Sequence, residues 1–395
     1  MPPKILRLSG SIFLTLCFLG TLSLFKASAH PVYSGLTAHE WGTFTSIAGT
    51  NGQAVEWYPL TGSTDLPSFV EHFRNAGFKL GLRGTVRMET PVLYFYAPSE
   101  QTVSVKVSFA KGVITEWYPH ATRVEPTAAL WERSLLQNPM DGSIAWDGVT
   151  LAPSQTASLP TDQRENHYYA ARQTTSTPLR IDTPAGPQYE KFLFYRGVSN
   201  FRVPISAQLE LENKLRVENH GAQSIPNTIL FERRGEKIGF RINGVLQSEA
   251  VMEAPELTAT LDSFASALEG ILIDQGLYQN EAQAMVQTWR DSWFEEGSRL
   301  LYIVPTEFVN NVLPLSIHPA PAQITRVFVG RLELVTPATQ SAVERAFAAH
   351  DDATLTSYAR FLEPILLAMI KQAPTPAKAS QLQAYLNAYY NSQFR

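Results

Sequence analysis

A single thiol cannot close a disulfide within its own chain, and this sequence of 395 residues carries one cysteine, Cys17. Whatever it folds into must be held by packing. Its composition suits that: 44% of the residues are apolar and 17% charged, too apolar and too weakly charged for a disordered chain. A chain this long buries enough surface to be stable without covalent staples. Cysteine-bound zinc and iron–sulfur clusters are excluded, since each needs several thiolates.

Cys17 lies inside the apolar run 11–25, which follows the basic residues Lys4 and Arg7 and precedes the small-x-small sequence Ala27-Ser28-Ala29. That order predicts a secretory signal over residues 1–29, cut between Ala29 and His30. Leu14-Thr15-Leu16 gives Cys17 no small residue in front of it, so an acyl anchor is not expected. The run is shorter than the roughly 20 apolar residues of a spanning helix, and nothing later suggests a membrane span in the mature chain. Cleavage would leave 366 residues with 29 basic side chains against 36 acidic ones, a formal charge of −7 and no thiol for catalysis. A chain so charged is a poor nucleic-acid binder, because it lacks the basic surface that displaces counterions. The expected location is secreted or periplasmic.

Beyond the leader, residues 30–255 alternate apolar and polar side chains between turn formers. Strands are predicted at 91–96, 102–109, 113–117, 207–212, 215–218, 228–232 and 238–242, with hairpins turning at 97–101 and at Arg233-Arg234-Gly235-Glu236. Helical insertions are expected at 67–75, 128–136 and 162–172, and long loops at 138–160 and 174–187. After Pro255 the period becomes helical. Helices are expected from Leu257 to a stop at Gly276, from Asn280 to Gly297, from Thr336-Pro337 onward, over 355–370 with a kink at Pro364, and around Leu382–Tyr389. Two late strands, 300–304 and 325–335, interrupt them. The expected fold class is therefore α+β, with a β-sandwich-like region over 30–255 followed by a mainly helical region with two strands over 256–395.

The most specific local feature is a repeat. Glu56-Trp57-Tyr58-Pro59 recurs as Glu116-Trp117-Tyr118-Pro119, and Glu40-Trp41 supplies a third pair. An exposed indole covers the C–H face of a sugar while a carboxylate accepts its hydroxyls, so the six residues Glu40, Trp41, Glu56, Trp57, Glu116 and Trp117 are candidates for a glycan or envelope ligand. The competing reading puts each Trp in the core. His39 is a candidate metal ligand beside Glu40, although adjacent strand residues face apart and no HExxH spacing occurs. His30, once N-terminal, could form a copper brace with its own amine, but Pro31 follows at once and no second histidine motif accompanies it. Asp291 and Glu295 would share a helix face as a carboxylate pair, with Arg290 and Arg299 at hand and Trp289 and Trp293 on a neighbouring face. Glu218-Asn219-His220-Gly221 reads as a turn. No GxSxG, GxxxxGK[ST] or GxGxxG sequence occurs.

Residues 39–46 (HEWGTFTS), 89–96 and 288–305 resemble stretches of a family of uncharacterised secreted bacterial proteins. That resemblance implies a bacterial envelope or extracellular setting and carries no activity, cofactor or catalytic residue. Two functions remain open at this stage: a binding or scaffold protein of the cell envelope, or a secreted hydrolase, with or without a metal, whose carboxylates and histidines gather from separate loops.

Overall fold

The computed structural model describes residues 35–60, 66–72, 82–126, 135, 137, 139–156, 158–163, 166–210, 214–358 and 361–393. The leader, its cleavage site at Ala29 and His30, and the predicted helix over 128–136 except residue 135 lie outside them.

Eighteen strands dominate the described residues. In chain order they are β1 (Thr37–Ala48), β2 (Glu71–His72), β3 (Val86–Tyr96), β4 (Gln101–Phe109), β5 (Gly112–Tyr118), β6 (Arg123–Glu125), β7 (Gly142–Leu151), β8 (Leu179–Thr183), β9 (Gly186–Glu190), β10 (Leu193–Ser199), β11 (Ile205–Leu209), β12 (Leu215–Asn219), β13 (Ile225–Arg234), β14 (Lys237–Leu246), β15 (Glu249–Met252), β16 (Gly297–Val304), β17 (Leu315–His318) and β18 (Gln323–Leu334). Seven α-helices lie after β15: α1 (Leu261–Asp274), α2 (Gln279–Trp293), α3 (Thr306–Val312), α4 (Pro337–Ala349), α5 (Asp352–Ser357), α6 (Leu362–Lys371) and α7 (Pro376–Gln393). A 3₁₀ turn, His167–Arg172, precedes β8.

Nine strands form one sheet in the order β14-β13-β16-β18-β1-β3-β10-β5-β2. Its centre is β1, buried at all twelve positions, which runs parallel to β18 and antiparallel to β3. A strand buried on both faces needs cover on both. One face packs against a six-stranded sheet built on β17-β4-β7-β8-β9 and a three-stranded sheet β11-β12-β15, through Phe44, Val105, Trp146, Val217 and Phe328. The opposite face packs on α1, α2 and the 3₁₀ turn through Trp41, Tyr94, Phe264, Met285 and Trp293. Helices α4 to α7 close one end over Ile47 and Trp57.

This layering overturns the expected fold class. The late strands β16 and β18 are central members of the large sheet, inserted between β13 and β1, so one strand system runs through most of the chain, and the helices that follow β18, α4 to α7, are short. The reason is pairing at a distance: β18 aligns residue for residue with β1, Thr37 opposite Gln323 through Ala48 opposite Leu334. The close fit shows at Gly330, opposite Tyr302 on β16, where a β-carbon would sit 2.0 Å from the tyrosine ring. Only glycine admits the ring there.

Local expectations fare unevenly. The β13–β14 hairpin turns at Gly235, whose φ of +60° suits glycine. Strands β3 and β4 are no hairpin: they lie in different sheets, and the end of β3 is held by Thr177, whose N–H donates to the Phe95 carbonyl at 2.7 Å. The loop expected at 138–160 contains β7, and that at 174–187 contains β8. The helix expected at 67–75 is a turn entering β2 over its described residues. Helix α1 starts at Leu261 because Thr260 and Ser263 cap each other reciprocally, and it stops before Gly276 at φ +104°. The N-cap of α2 is Tyr278, two residues before the expected start at Asn280, with Glu281 reaching back to its N–H. The helix expected over 355–370 is two, α5 and α6, with Pro364 in the first turn of α6, where a missing N–H costs nothing.

Candidate functional site: an apolar cleft and a locked polar interior

The three Glu-Trp pairs come to three different fates. Trp41 and Trp57 are 0% exposed and Trp117 is 8% exposed, so no ring face is offered to solvent and the expected sugar platform is not formed by these indoles. Trp41 faces the helical layer. Trp57 stacks on Phe361 with centroids 5.8 Å apart. Trp117 packs between the sheets and donates from Nε1 to Glu71 Oε2 at 3.0 Å, beside His120 Nδ1 at 2.9 Å from Glu71 Oε1. The two copies of the tetrapeptide are also not equivalent units: Glu116-Trp117 lies within β5, and Trp57 makes an isolated bridge to Gly84.

Their carboxylates are equally particular. Glu40 points to the face opposite Trp41, as strand geometry requires. It accepts from Tyr195 OH and from Arg326 Nε at 2.7 Å, and its Oε2 forms an ion pair with Arg326 Nη2 at 2.6 Å; Arg326 also donates to Asn310 Oδ1 at 2.8 Å. Burial, then Glu40, pushes the Tyr195 phenol well above its ordinary range. Glu116 is buried and accepts from Thr115 Oγ1. Glu56 lines a cavity.

His39 is fully buried on the helical side, with Nδ1 2.8 Å from Glu281 Oε2. The same carboxylate accepts from Tyr96 OH at 2.6 Å and from the Tyr278 N–H at 2.8 Å. This clasp fastens α2 to β1 and brings one histidine and one glutamate together. Among the described residues no group of three or more His, Cys, Asp or Glu could hold a metal; the His39 ring packs on Tyr278, centroids 4.5 Å apart.

The expected Asp291–Glu295 pair does not share a helix face, because α2 ends at Trp293. Glu295 instead accepts from Arg331 Nη2 at 2.8 Å. Arg331 and Arg299 both hold Glu333, at 3.1 Å and 3.0 Å, and Arg299 caps the end of α2 by donating to the carbonyls of Trp293, Glu295 and Glu296. Burial pulls Arg299 below its usual range. Burial works the same way on Arg331, but Glu295 and Glu333 outweigh it and raise that guanidinium. Glu190, held by Arg172 at 2.6 Å, is raised by burial in spite of that partner. These charges are paired because leaving one alone in the interior would cost several kcal/mol, about 3–5 when one partner is lost.

Sequence reasoning missed one constellation. Ser206 Oγ lies 2.7 Å from His220 Nε2, with Gln53 Nε2 3.2 Å from the same nitrogen. A nucleophile's histidine needs its acid on the other ring nitrogen. Here Glu218 also faces Nε2, at 3.9 Å, so it cannot orient the ring for base catalysis, and the cluster reads as a clamp between β11 and the end of β12.

A cleft of about 630 Å³ lies where the end of β1, strand β11, the start of α4 and helix α6 meet. Ile47, Val55, Leu209, Leu334, Val335, Pro364, Leu367 and Ala368 form its apolar wall; Thr50, Asn51, Glu56, Gln340, Lys371 and Gln372 supply polar groups. Its size falls within the roughly 300–1,000 Å³ of small-molecule sites. Glu56 is bound by Arg83 Nη2 at 3.1 Å, and Arg83 lies over the Tyr58 ring at 5.1 Å. The Gly49–Gln53 turn, closed by Gly49 N–H to Gln53 O at 2.8 Å, contributes Gly49, Thr50 and Asn51 to the cleft before Trp57 enters the core.

No known family model matches this chain, and no curated protein is similar to it. Among solved structures, the mu-homology domain of yeast delta-COP-I, in complex with a Dsl1 WxWxV peptide, is similar over 77% of this chain and 98% of that one. The identity is 7% and the TM-score 0.28, too low to carry an argument about fold or function.

Proposed function

We propose that this is an exported binding protein of the bacterial cell envelope, without a catalytic role, whose ligand site is the cleft between α6 and the end of β1. The observation that carries this reading is the contrast between the cleft and the buried titratable groups. The cleft has an apolar wall and a polar rim, whereas His39, Glu40, Glu190, Glu281, Arg299, Arg326, Arg331 and Glu333 are buried in mutual pairs that fix strands and helices. Reaction centres need groups that meet substrate; these meet one another.

Export rests on the leader pattern in residues 1–29 and on the resemblance to secreted bacterial proteins. A chain with a single cysteine and large apolar cores is suited to an oxidising compartment, where it needs no disulfide to persist. Among the described residues no helix is long and apolar enough to cross a membrane.

The test of the binding reading is titration of the purified full chain with N-phenyl-1-naphthylamine, a neutral apolar dye that brightens when it leaves water. Saturable enhancement at one site per chain is expected. Fractionation of cells producing the full chain, with N-terminal sequencing of the product, tests export: a new N-terminus at His30 in the envelope or medium is expected, and an intact leader in the cytosol would remove the placement.

A further inference from the structure

The cleft's charges name a class of ligand, an inference that rests on the binding reading above. Two ionisable groups line it, Glu56 and Lys371. Glu56 is neutralised by Arg83 at 3.1 Å and cannot discriminate strongly between charged ligands. Lys371 is different. It stands exposed at the C-terminal end of α6, and among the described residues no carboxylate pairs with it. The nearest neighbour in sequence, Gln372, also lines the cleft and offers an amide donor.

We propose that the cleft takes an anionic amphiphile, a long-chain carboxylate, with its chain laid along Ile47, Val55, Leu209, Leu334 and Leu367 and its head group on Lys371. Burying the chain supplies most of the free energy, about 0.8 kcal/mol for each methylene removed from water. The head group then selects: a charge-assisted hydrogen bond from the ammonium favours a carboxylate and repels a quaternary ammonium. The flexible Lys371 stem can follow heads at slightly different depths, so selection is by charge more than by head-group shape.

The experiment is displacement of N-phenyl-1-naphthylamine from the full chain by hexadecanoate, hexadecanol and hexadecyltrimethylammonium, each below its micellar range. The inference expects hexadecanoate to displace the dye at about tenfold lower concentration than the cationic amphiphile, a difference of about 1.4 kcal/mol. Lys371→Glu should reverse that order. If the dye binds but the three amphiphiles displace it equally, or Lys371→Glu leaves the order unchanged, the anionic preference is wrong and the cleft survives as an apolar site. If the dye does not bind at all, the cleft reading itself fails and this inference with it.

Discussion

Glu40 and Arg326 stand directly opposite each other on the parallel strands β1 and β18, with Glu40 Oε2 2.6 Å from Arg326 Nη2 and both side chains almost fully buried. They are 286 positions apart in the chain. The pair fixes the register that makes one sheet of the early and late strands.

Removing one member leaves the other charged and alone. Glu40→Gln and Arg326→Met should each cost about 3–5 kcal/mol, the usual result of breaking a buried pair. Replacing both by methionine should recover most of that loss. Denaturant midpoints of the three variants decide it; a double variant no better than the worse single one would show that the pair is not the coupled unit described.

Trp57 is a core residue, stacked on Phe361 beneath helices α4 to α7. Trp57→Ala should therefore lower stability by about 3–5 kcal/mol. A variant that melts as the parent does would put the ring outside and restore the case for a sugar platform. Phe361→Ala should act on the same cluster and be non-additive with it, as neighbours in contact are.

Two phenols report on alkaline stability. Burial, then Glu190, pushes Tyr118 up to about 12, and burial, then Glu363, pushes Tyr389 up to about 12. Both folded values exceed the ordinary 10.0. The neutral phenol is thus favoured by folding, and its contribution is fully present below pH 10.0 and is lost as pH rises toward 12. Denaturant midpoints should fall over that window in the parent and fall less steeply in Tyr118→Phe and Tyr389→Phe. Equal slopes in all three would contradict the burial of these groups.

How much of this was legible in the sequence depends on the distance between partners. The β13–β14 hairpin and the cap at Thr336-Pro337 were readable because every group involved lies within a few residues. The sheet order was not, because the alternation that marks β1 or β18 as a strand says nothing about which strand lies beside it. The same limit hid the polar interior: Glu40 and Glu295 look like surface charges until Arg326 and Arg331 arrive from far along the chain. Turn formers at 97–101 suit a hairpin and a crossing between sheets equally well, and Thr177 decides between them. Of the candidate binding residues only Glu56 reached the cleft, whose walls come from four separate segments between Ile47 and Gln372. Nothing local in any of them marks a site.

The central claim is that this cleft is a ligand site. Its most direct test is Ala368→Trp, which places an indole in the cleft from the half-buried face of α6. Dye titration of the parent and of this variant, each checked by its melting temperature, is the measurement. The account predicts saturable binding in the parent and at least about a tenfold loss, about 1.4 kcal/mol, in a variant that melts within a few degrees of it. Equal binding by the two folded proteins would contradict it.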